Sequence, residues 1–306
     1  MAFDVSGLTS YVKENNDLLI AKSVLGAETL DVINLQTGVK YQERIHLLAV
    51  SPSIQAASCE FSANGDATFT ERTITAPALK VDMTFCPEDF LGKYGEWEVN
   101  HTAGRETLPF EEKLTNEITK NIARQVEDAI WQGISALSVA GLGDYVSEYI
   151  DFSTSSALGA GADWSSVTSV AGAYSAILAV YGAIPTEVLA DAVIFVGEGT
   201  YRAFIQDIVA ANFFHADPMT ATDREMFLPG TSTRVKAVPG LNGLAGGKAI
   251  IAADPKNLYW GVDLANGHEV WDLWYSRDHQ QFRFNCKFNG GAQVAFPDQV
   301  TVGVVA

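Results

Sequence analysis

The stretch Cys59-Glu-Phe-Ser-Ala-Asn-Gly-Asp-Ala-Thr-Phe-Thr-Glu-Arg-Thr73 reads as a β-hairpin that turns at Asn64-Gly65. An Asn-Gly pair between alternating segments is a strong turn signal. Residues opposite one another in a hairpin share a face. A two-residue loop would set Phe61 against Thr68 and mix polar with apolar side chains on both faces. A three-residue loop, Asn64-Gly65-Asp66, sets Ala63 against Ala67, Ser62 against Thr68 and Phe61 against Phe69; a five-residue loop fits equally well. An odd-length loop is therefore expected, and with it one thin apolar face made of Phe61 and Phe69. Isolated two-stranded ribbons are marginal in water, and nothing local covers this face. The hairpin needs another surface to lie against.

The rest of the chain is able to build one. It has 306 residues, 47% of them hydrophobic, which supports a substantial core divided into more than one lobe. The ample aromatic content and a charged fraction of only 19% argue against disorder. The formal net charge of -17 argues against a protein that embraces a nucleic-acid backbone or docks on an anionic membrane. Cys59, Cys86 and Cys286 are too few and odd in number for a disulfide framework. Free thiols in a reducing compartment are expected, with a Cys59–Cys86 bridge as the alternative. No basic-then-apolar leader opens the chain, and no apolar run approaches the ~20 residues that span a bilayer. The expectation is a soluble protein made inside the cell.

Residues 1–40 read as an arm. Leu8, Tyr11, Val12, Leu18 and Leu19 give a weak helical stripe, Gly26 and Gly38 break it, and few residues there could seed a core. Residues 41–106 are mostly strand-like. Then Thr107 can cap a helix, Pro109 suits its first turn, and Glu111 and Glu112 favour its positive end. Phe110, Leu114, Ile118, Ile122, Val126, Ile130 and Ile134 recur every four residues, which predicts a helix from Leu108 to Ala136. At 1.5 Å per residue it is about 40 Å long, unusual for a globular protein. Tyr145 to Phe152 alternates like a strand, Ser153 to Gly161 is a small-residue linker, and Trp164 to Tyr181 predicts a second helix. A short third helix is expected from Ile184. Ala192 to Val196 suits a central strand, Gly199 to Ala211 a helix, and residues 216–248 are turn-rich. Strands are expected over Ala249–Ala253 and Asn257–Val262, and again from His268 to the end. Strands at both ends of a helical middle indicate an α+β fold whose C-terminus returns to an early lobe.

Signatures of chemistry are thin. Leu244-Ala-Gly-Gly-Lys248 lacks the first glycine and the final Ser or Thr of a phosphate loop, since Asn242 and Ala249 stand there. It reads as a surface turn. Val193-Ile-Phe-Val-Gly-Glu-Gly199 places Arg202 where a dinucleotide fingerprint needs its third glycine, so Gly197 and Gly199 read as a strand-to-helix turn. His46, His101, His215, His268 and His279 include no pair at the spacing of a zinc protease. No Gly-x-Ser-x-Gly elbow is present, and the acidic residues are scattered. Tyr259, Trp260 and Trp271-Asp-Leu-Trp-Tyr275 read as core or subunit-interface packing before a sugar platform.

The order of these elements is similar to that of the tailed-bacteriophage major capsid protein. Its fold has an N-terminal arm, an extended β-hairpin loop, a peripheral domain with a long spine helix and sheet, and an axial domain. The likeness runs over nearly the whole chain. Its local carriers are Cys59-x-Phe-Ser-x-x-Gly-Asp-x-Thr-Phe-Thr-x-Arg-Thr73, then Leu79-Lys80 and Cys86-Pro87, which resemble the extended loop. Ile118 to Ile134, with Ala129-Ile-Trp-Gln-Gly133, resembles the spine. Asp254-Pro-Lys-Asn-Leu-Tyr-Trp-Gly-Val-Asp263, Arg283 to Phe288 and Phe296-Pro-Asp-Gln-Val300 resemble the return from axial to peripheral domain. The resemblance implies an arm at 1–40, an extended loop at 41–106, a peripheral domain at 107–160, an axial domain at 161–274 and a C-terminal return at 275–306.

It implies a function without catalysis, cofactor or metal. Copies would form hexamers and pentamers that tile an icosahedral shell around double-stranded DNA, bound without sequence preference. Phe61, Asn64, Gly65, Phe69 and Arg72 of the loop, and Leu8, Tyr11 and Val12 of the arm, would lie at subunit interfaces. Portal protein, a separate scaffolding protein and possible decoration protein are the implied partners. The implied location is the virion capsid, assembled in the host bacterial cytoplasm, with no membrane involved. Some relatives weld their shells through a Lys–Asn isopeptide bond whose lysine lies in the extended loop. No lysine lies between Lys40 and Lys80 here, so no such cross-link is expected. Many relatives begin with a helical scaffolding segment of roughly a hundred residues, whereas the arm here starts at Met1. A DNA-facing wall should not adhere to DNA, so an inner face rich in Asp and Glu, or at least without a basic patch, is also expected. An encapsulin-like compartment enclosing cargo enzymes shares the fold and stays open as an alternative. A soluble acidic hydrolase and another virion component, such as a tail-tube or decoration protein, stay open as well.

Overall fold

The computed structural model describes residues 12, 14–51, 53–56, 59, 65–86, 110–211, 224–263 and 270–306. In chain order the elements are helix α1 (Asn16–Val24) and strands β1 (Asn34–Thr37), β2 (Gln42–Ser51), β3 (Asp66–Thr75) and β4 (Ala78–Phe85). The spine helix α2 (Phe110–Gln132) follows, then short strands β5 (Ile150–Asp151), β6 (Ser156–Ala157) and β7 (Ser169–Val170). Next come helix α3 (Ala173–Ala183), strand β8 (Val193–Val196), helix α4 (Glu198–Ala210), β9 (Glu225–Phe227) and β10 (Arg234–Ala237). The chain ends with β11 (Ala249–Ala253), β12 (Leu258–Val262), β13 (Val270–Ser276), β14 (Gln281–Asn289), β15 (Gly291–Val294) and β16 (Thr301–Val305). The fold is α+β, as expected.

Alternation along the central strands sets the layers. An eight-stranded sheet runs β6-β5-β16-β11-β8-β10-β9, with β7 also paired to β16. On one face Val193, Phe195, Ala249 and Ile251 join the core around α2; on the other Ile194, Val196, Ile250 and Ala252 join α3 and α4. The continuous apolar run of β8 is thus explained by burial on both sides. Trp131 of α2 packs on Phe195 with ring centroids 5.2 Å apart. The spine presents Ile118, Ile122, Val126, Ala129 and Ile130 to this core. It ends at Gly133, whose φ of +67° and N–H bond to the Ala129 carbonyl (3.0 Å) stop the helix. Thr107 and Pro109, the expected start, lie outside the described residues.

Four sequence expectations are corrected. Residues before 40 do enter the core: Val12, Leu19, Val24, Ala27 and Ile33 are buried with the spine, and β1 pairs in parallel with β12. Weak periodicity hid this, because the segment is short and is held by tertiary contacts. The helix expected from Trp164 begins only at Ala173. Asp163 takes hydrogen bonds from Ser165 and Ser166, Asp151 takes two from Thr168, and Gly172 has φ +85°. Such local side-chain bonds compete with helix. Tyr145 to Phe152 is largely a 3₁₀ turn, Leu142–Glu148, followed by the two residues of β5. Residues after Ile184 form turns instead of a third helix.

One buried cluster fastens the N-terminal segment to the spine. The Thr29 N–H donates to Glu127 Oε2 at 2.9 Å, its hydroxyl donates to Glu127 Oε1, and Trp131 Nε1 donates to the Thr29 hydroxyl at 2.8 Å. Burial pushes the Glu127 carboxyl above its ordinary value, opposed by the Thr29 donors and reinforced by Glu28. A carboxyl raised on folding binds more protons folded than unfolded. Its stabilising contribution is therefore full below the unfolded value and is lost as pH rises through the folded one. Thr29→Val strands a carboxylate oxygen and an indole N–H, and should cost about 1–3 kcal/mol in urea unfolding. Glu127→Gln should flatten the fall in stability as pH rises above the ordinary glutamate range.

Candidate assembly interface

A ribbon is present at the expected place, and the strand paired with β3 among the described residues lies upstream, at β2. β3 pairs with β2 along its whole length, from Gln42 opposite Thr75 to Ser51 opposite Asp66. Phe69 therefore faces Leu48, and the expected pairing of Phe69 with Phe61 falls outside the described residues. The longer ladder satisfies many more cross-strand pairs, and loop-closure cost grows only slowly with the length of the connection. Phe61 and Asn64 lie outside the described residues, as do Leu8 and Tyr11. Gly65 stands exposed immediately before β3.

Pairing divides the ribbon into two faces. One carries Ile45, Leu47, Thr70, Arg72 and Ile74. Leu47 and Ile74 on it are buried, the latter in a small core with Val39, Ala76, Ile45 and Tyr259. The other carries Leu48 and Val50 opposite Phe69 and Ala67, with relative exposures of 52% for Leu48, 56% for Val50 and 80% for Phe69. Leu48 and Val50 escaped the sequence reading. Their signal was the alternation of Arg44, His46, Leu48 and Val50, a strand pattern whose apolar end matches that of β3.

The root of the ribbon is clamped while its far end is bare. Arg72 Nη1 pairs with Glu148 at 2.7 Å, its Nη2 and Nε donate to Gln293 Oε1 at 3.2 and 3.4 Å, and its guanidinium lies 5.7 Å from the centre of the Tyr145 ring. Gln293 Nε2 donates to the Thr73 carbonyl at 2.8 Å. Burial raises the Tyr145 phenol above its ordinary value, which keeps the ring neutral beneath the cation. At Gly291 any Cβ would sit 2.0 Å from the Thr75 carbonyl oxygen, so only glycine lets β15 approach. Arg72, expected at a subunit interface, makes these contacts within its own chain, and Val12 is buried in its own core.

The other chemical candidates resolve into structure. Asn242 Oδ1 accepts the Glu198 N–H at 3.0 Å, and the Gly247 carbonyl accepts the Thr200 hydroxyl at 2.9 Å. The glycine turn thus closes off the N-terminus of α4, where a phosphate would have to bind. Trp260 and Trp271 are buried, as core packing requires. A cleft of about 900 Å³ lies between the N-terminal segment, α2 and the 239–247 turn. Arg224 bridges Glu198 at 2.6 Å and Glu28 at 3.5 Å on its rim. Among the described residues no three His, Cys, Asp or Glu side chains gather as a metal site, and no helix is long and apolar enough to cross a membrane. The described cysteines Cys59, Cys86 and Cys286 are unbridged.

The comparison with solved structures fits this geometry. The chain is similar to the capsid of a native GTA particle at 14% identity and a TM-score of 0.60, over 93% of this chain and 90% of that one. It is similar to a chain of Microbacterium phage Oxtober96 at 12% identity and a TM-score of 0.58, over 92% and 91%. A chain of the satellite phage P4 procapsid, a particle that includes size determination protein, matches at 12% identity and a TM-score of 0.53, over 96% and 99%. No family model matches the chain, and no curated protein does. The fold is that of tailed-phage capsid proteins.

The clamp makes a direct prediction. Arg72→Ala removes charged hydrogen bonds worth about 1.5–3 kcal/mol. Amides at the base of β3 should then exchange roughly ten- to a hundredfold faster, while those of α2 stay unchanged. Uniform acceleration over the whole chain would mean that Arg72 is no local clamp.

Proposed function

We propose that this chain, which carries the tailed-phage capsid fold, is a major capsid protein that assembles as hexamers and pentamers into an icosahedral shell around double-stranded phage DNA. The observation that carries the reading is the ribbon: its root is locked to its own chain, and its far half shows Leu48, Val50 and Phe69 to solvent. A monomer gains nothing from holding such a face in water. A neighbouring copy gains by covering it.

Magnitudes favour a closed assembly over an isolated pair. Fully burying such side chains is worth about 1.5–3 kcal/mol each. Scaled by their exposure, one ribbon contributes about 3–6 kcal/mol, whereas association costs about 4–15 kcal/mol. One ribbon contact therefore does not hold two copies together. A closed ring gains one contact more than an open chain of the same copies, because every copy both covers and is covered, and further contacts between copies supply the rest. Portal and a separate scaffolding protein belong to this proposal as partners. The acidic balance belongs to it as the property of a wall facing packed DNA.

The test is expression of the chain followed by electron microscopy, comparing wild type with a Leu48→Ser, Phe69→Ser double variant. Wild type should form hexamers or closed shells. The variant should keep the wild-type circular dichroism spectrum and unfold within about 1 kcal/mol of it, yet fail to assemble. A wild type that stays monomeric, or a variant that assembles normally, would sink the proposal. Shells packed with an enzyme instead of DNA would point to the encapsulin-like alternative. With no lysine between Lys40 and Lys80, mature particles should run as single chains on denaturing gels, without a covalent ladder.

A further inference from the structure

The three-stranded sheet β13-β14-β4 has one apolar and one polar face. Phe282, Phe284, Cys286 and Phe288 point to the core, and their neighbours Arg283, Asn285 and Lys287 point the other way. On the polar face Lys80 stands directly opposite Lys287. Like charges opposite one another in a ladder are destabilising. Lys40 comes to the same place from the turn before β2, and the three lysines line a depression of about 450 Å³ with Ala78 and Asn289.

The charge on this face runs against that of the chain. The whole protein has 37 acidic and 20 basic side chains. Among the described residues of this face, Lys40, Lys80, Arg283 and Lys287 stand against Asp82 and Asp272. Asp82 already pairs with Lys80 at 2.6 Å and accepts a hydrogen bond from Asn285. Among the described residues Lys40, Arg283 and Lys287 make no ion pair. The lysines are exposed, and the sheet's apolar side is where its own core covers it.

We propose that this basic face is a contact surface for a second copy of the chain, which brings acidic side chains to Lys40, Lys80 and Lys287. The proposal rests on the capsid reading and adds a contact distinct from the ribbon. Copies that each carry -17 repel one another, so assembly needs places where opposite charges meet. The acidic surplus makes another copy's surface the complementary partner that is always present at equal concentration. Facing this sheet toward packaged DNA would instead create the adhesive wall that the overall charge avoids.

The experiment compares wild type with a Lys40→Gln, Lys287→Gln variant across a range of sodium chloride concentrations. Oligomers are followed by sedimentation and electron microscopy. A mixture of isotope-labelled and unlabelled protein is also treated with a carbodiimide, which couples lysine amines to adjacent carboxylates. The proposal predicts cross-links from Lys40, Lys80 or Lys287 of one isotope to Asp or Glu of the other. It predicts that the variant needs roughly tenfold more protein to half-assemble at low salt, and that its assembly depends less on salt than that of wild type. An unchanged salt profile and no such cross-links in assembled wild type would overturn it. Assembly unchanged but DNA retention lost would overturn it in favour of a nucleic-acid contact. Cross-linked dimers without shells would support the lysine contact and overturn the shell reading; strictly monomeric wild type would overturn both.

Discussion

The Arg72 guanidinium sits where a ribbon that could not stand alone is joined to a body that can. It ties β3 to Glu148 and Gln293 and lies against Tyr145, while Ile74 and Ala76 sink into a small core beside β12. Gly291 allows the close approach that makes this joint tight. Two-stranded ribbons are marginal in water, so the far half of this one depends on its root for direction. A fixed root and a bare apolar end together give a lever aimed away from its own core. That geometry, set on a fold shared with phage capsids, is what the proposed assembly rests on.

The spine helix performs the complementary task of joining the lobes. Its Trp131 meets Phe195 in the central sheet, and its Glu127 and Trp131 hold Thr29 of the N-terminal segment. The central sheet is buried on both faces by different helices. Ribbon root, N-terminal segment and central sheet therefore share one continuous support. Tyr145, beneath the Arg72 guanidinium, also donates to the Ala292 carbonyl at 3.2 Å and so ties the ribbon root to β15.

Much of this was legible before the structure, and the failures have physical causes. The spine announced itself through apolar residues every four positions, and β8, β11 and β12 through continuous apolar runs. The hairpin was legible as a ribbon but not in its pairing. Asn64-Gly65 points to a short turn, while the partner strand seen among the described residues lies upstream, where Leu48 and Val50 look like ordinary strand residues. From Gly143 to Tyr149 the buried residues, Gly143, Val146 and Tyr149, come at every third position, which is the period of a 3₁₀ turn and not the alternation that Tyr145 to Phe152 suggests in sequence. The N-terminal segment looks in sequence like an arm with little to seed a core. Val12, Leu19 and Val24 are spread too thinly to mark one, and only the spine they pack on makes them core. The basic face was invisible because Lys40, Lys80 and Lys287 are far apart in sequence and meet only through the ladder of β4 and β14.

The central claim is that a neighbouring copy covers the far face of the ribbon. Electron cryo-microscopy of assembled particles tests it directly, through what lies against Phe69. The account predicts side chains of a second copy in van der Waals contact with Leu48, Val50 and Phe69 in every ring of the shell. An assembled particle in which that face still opens onto solvent would contradict it.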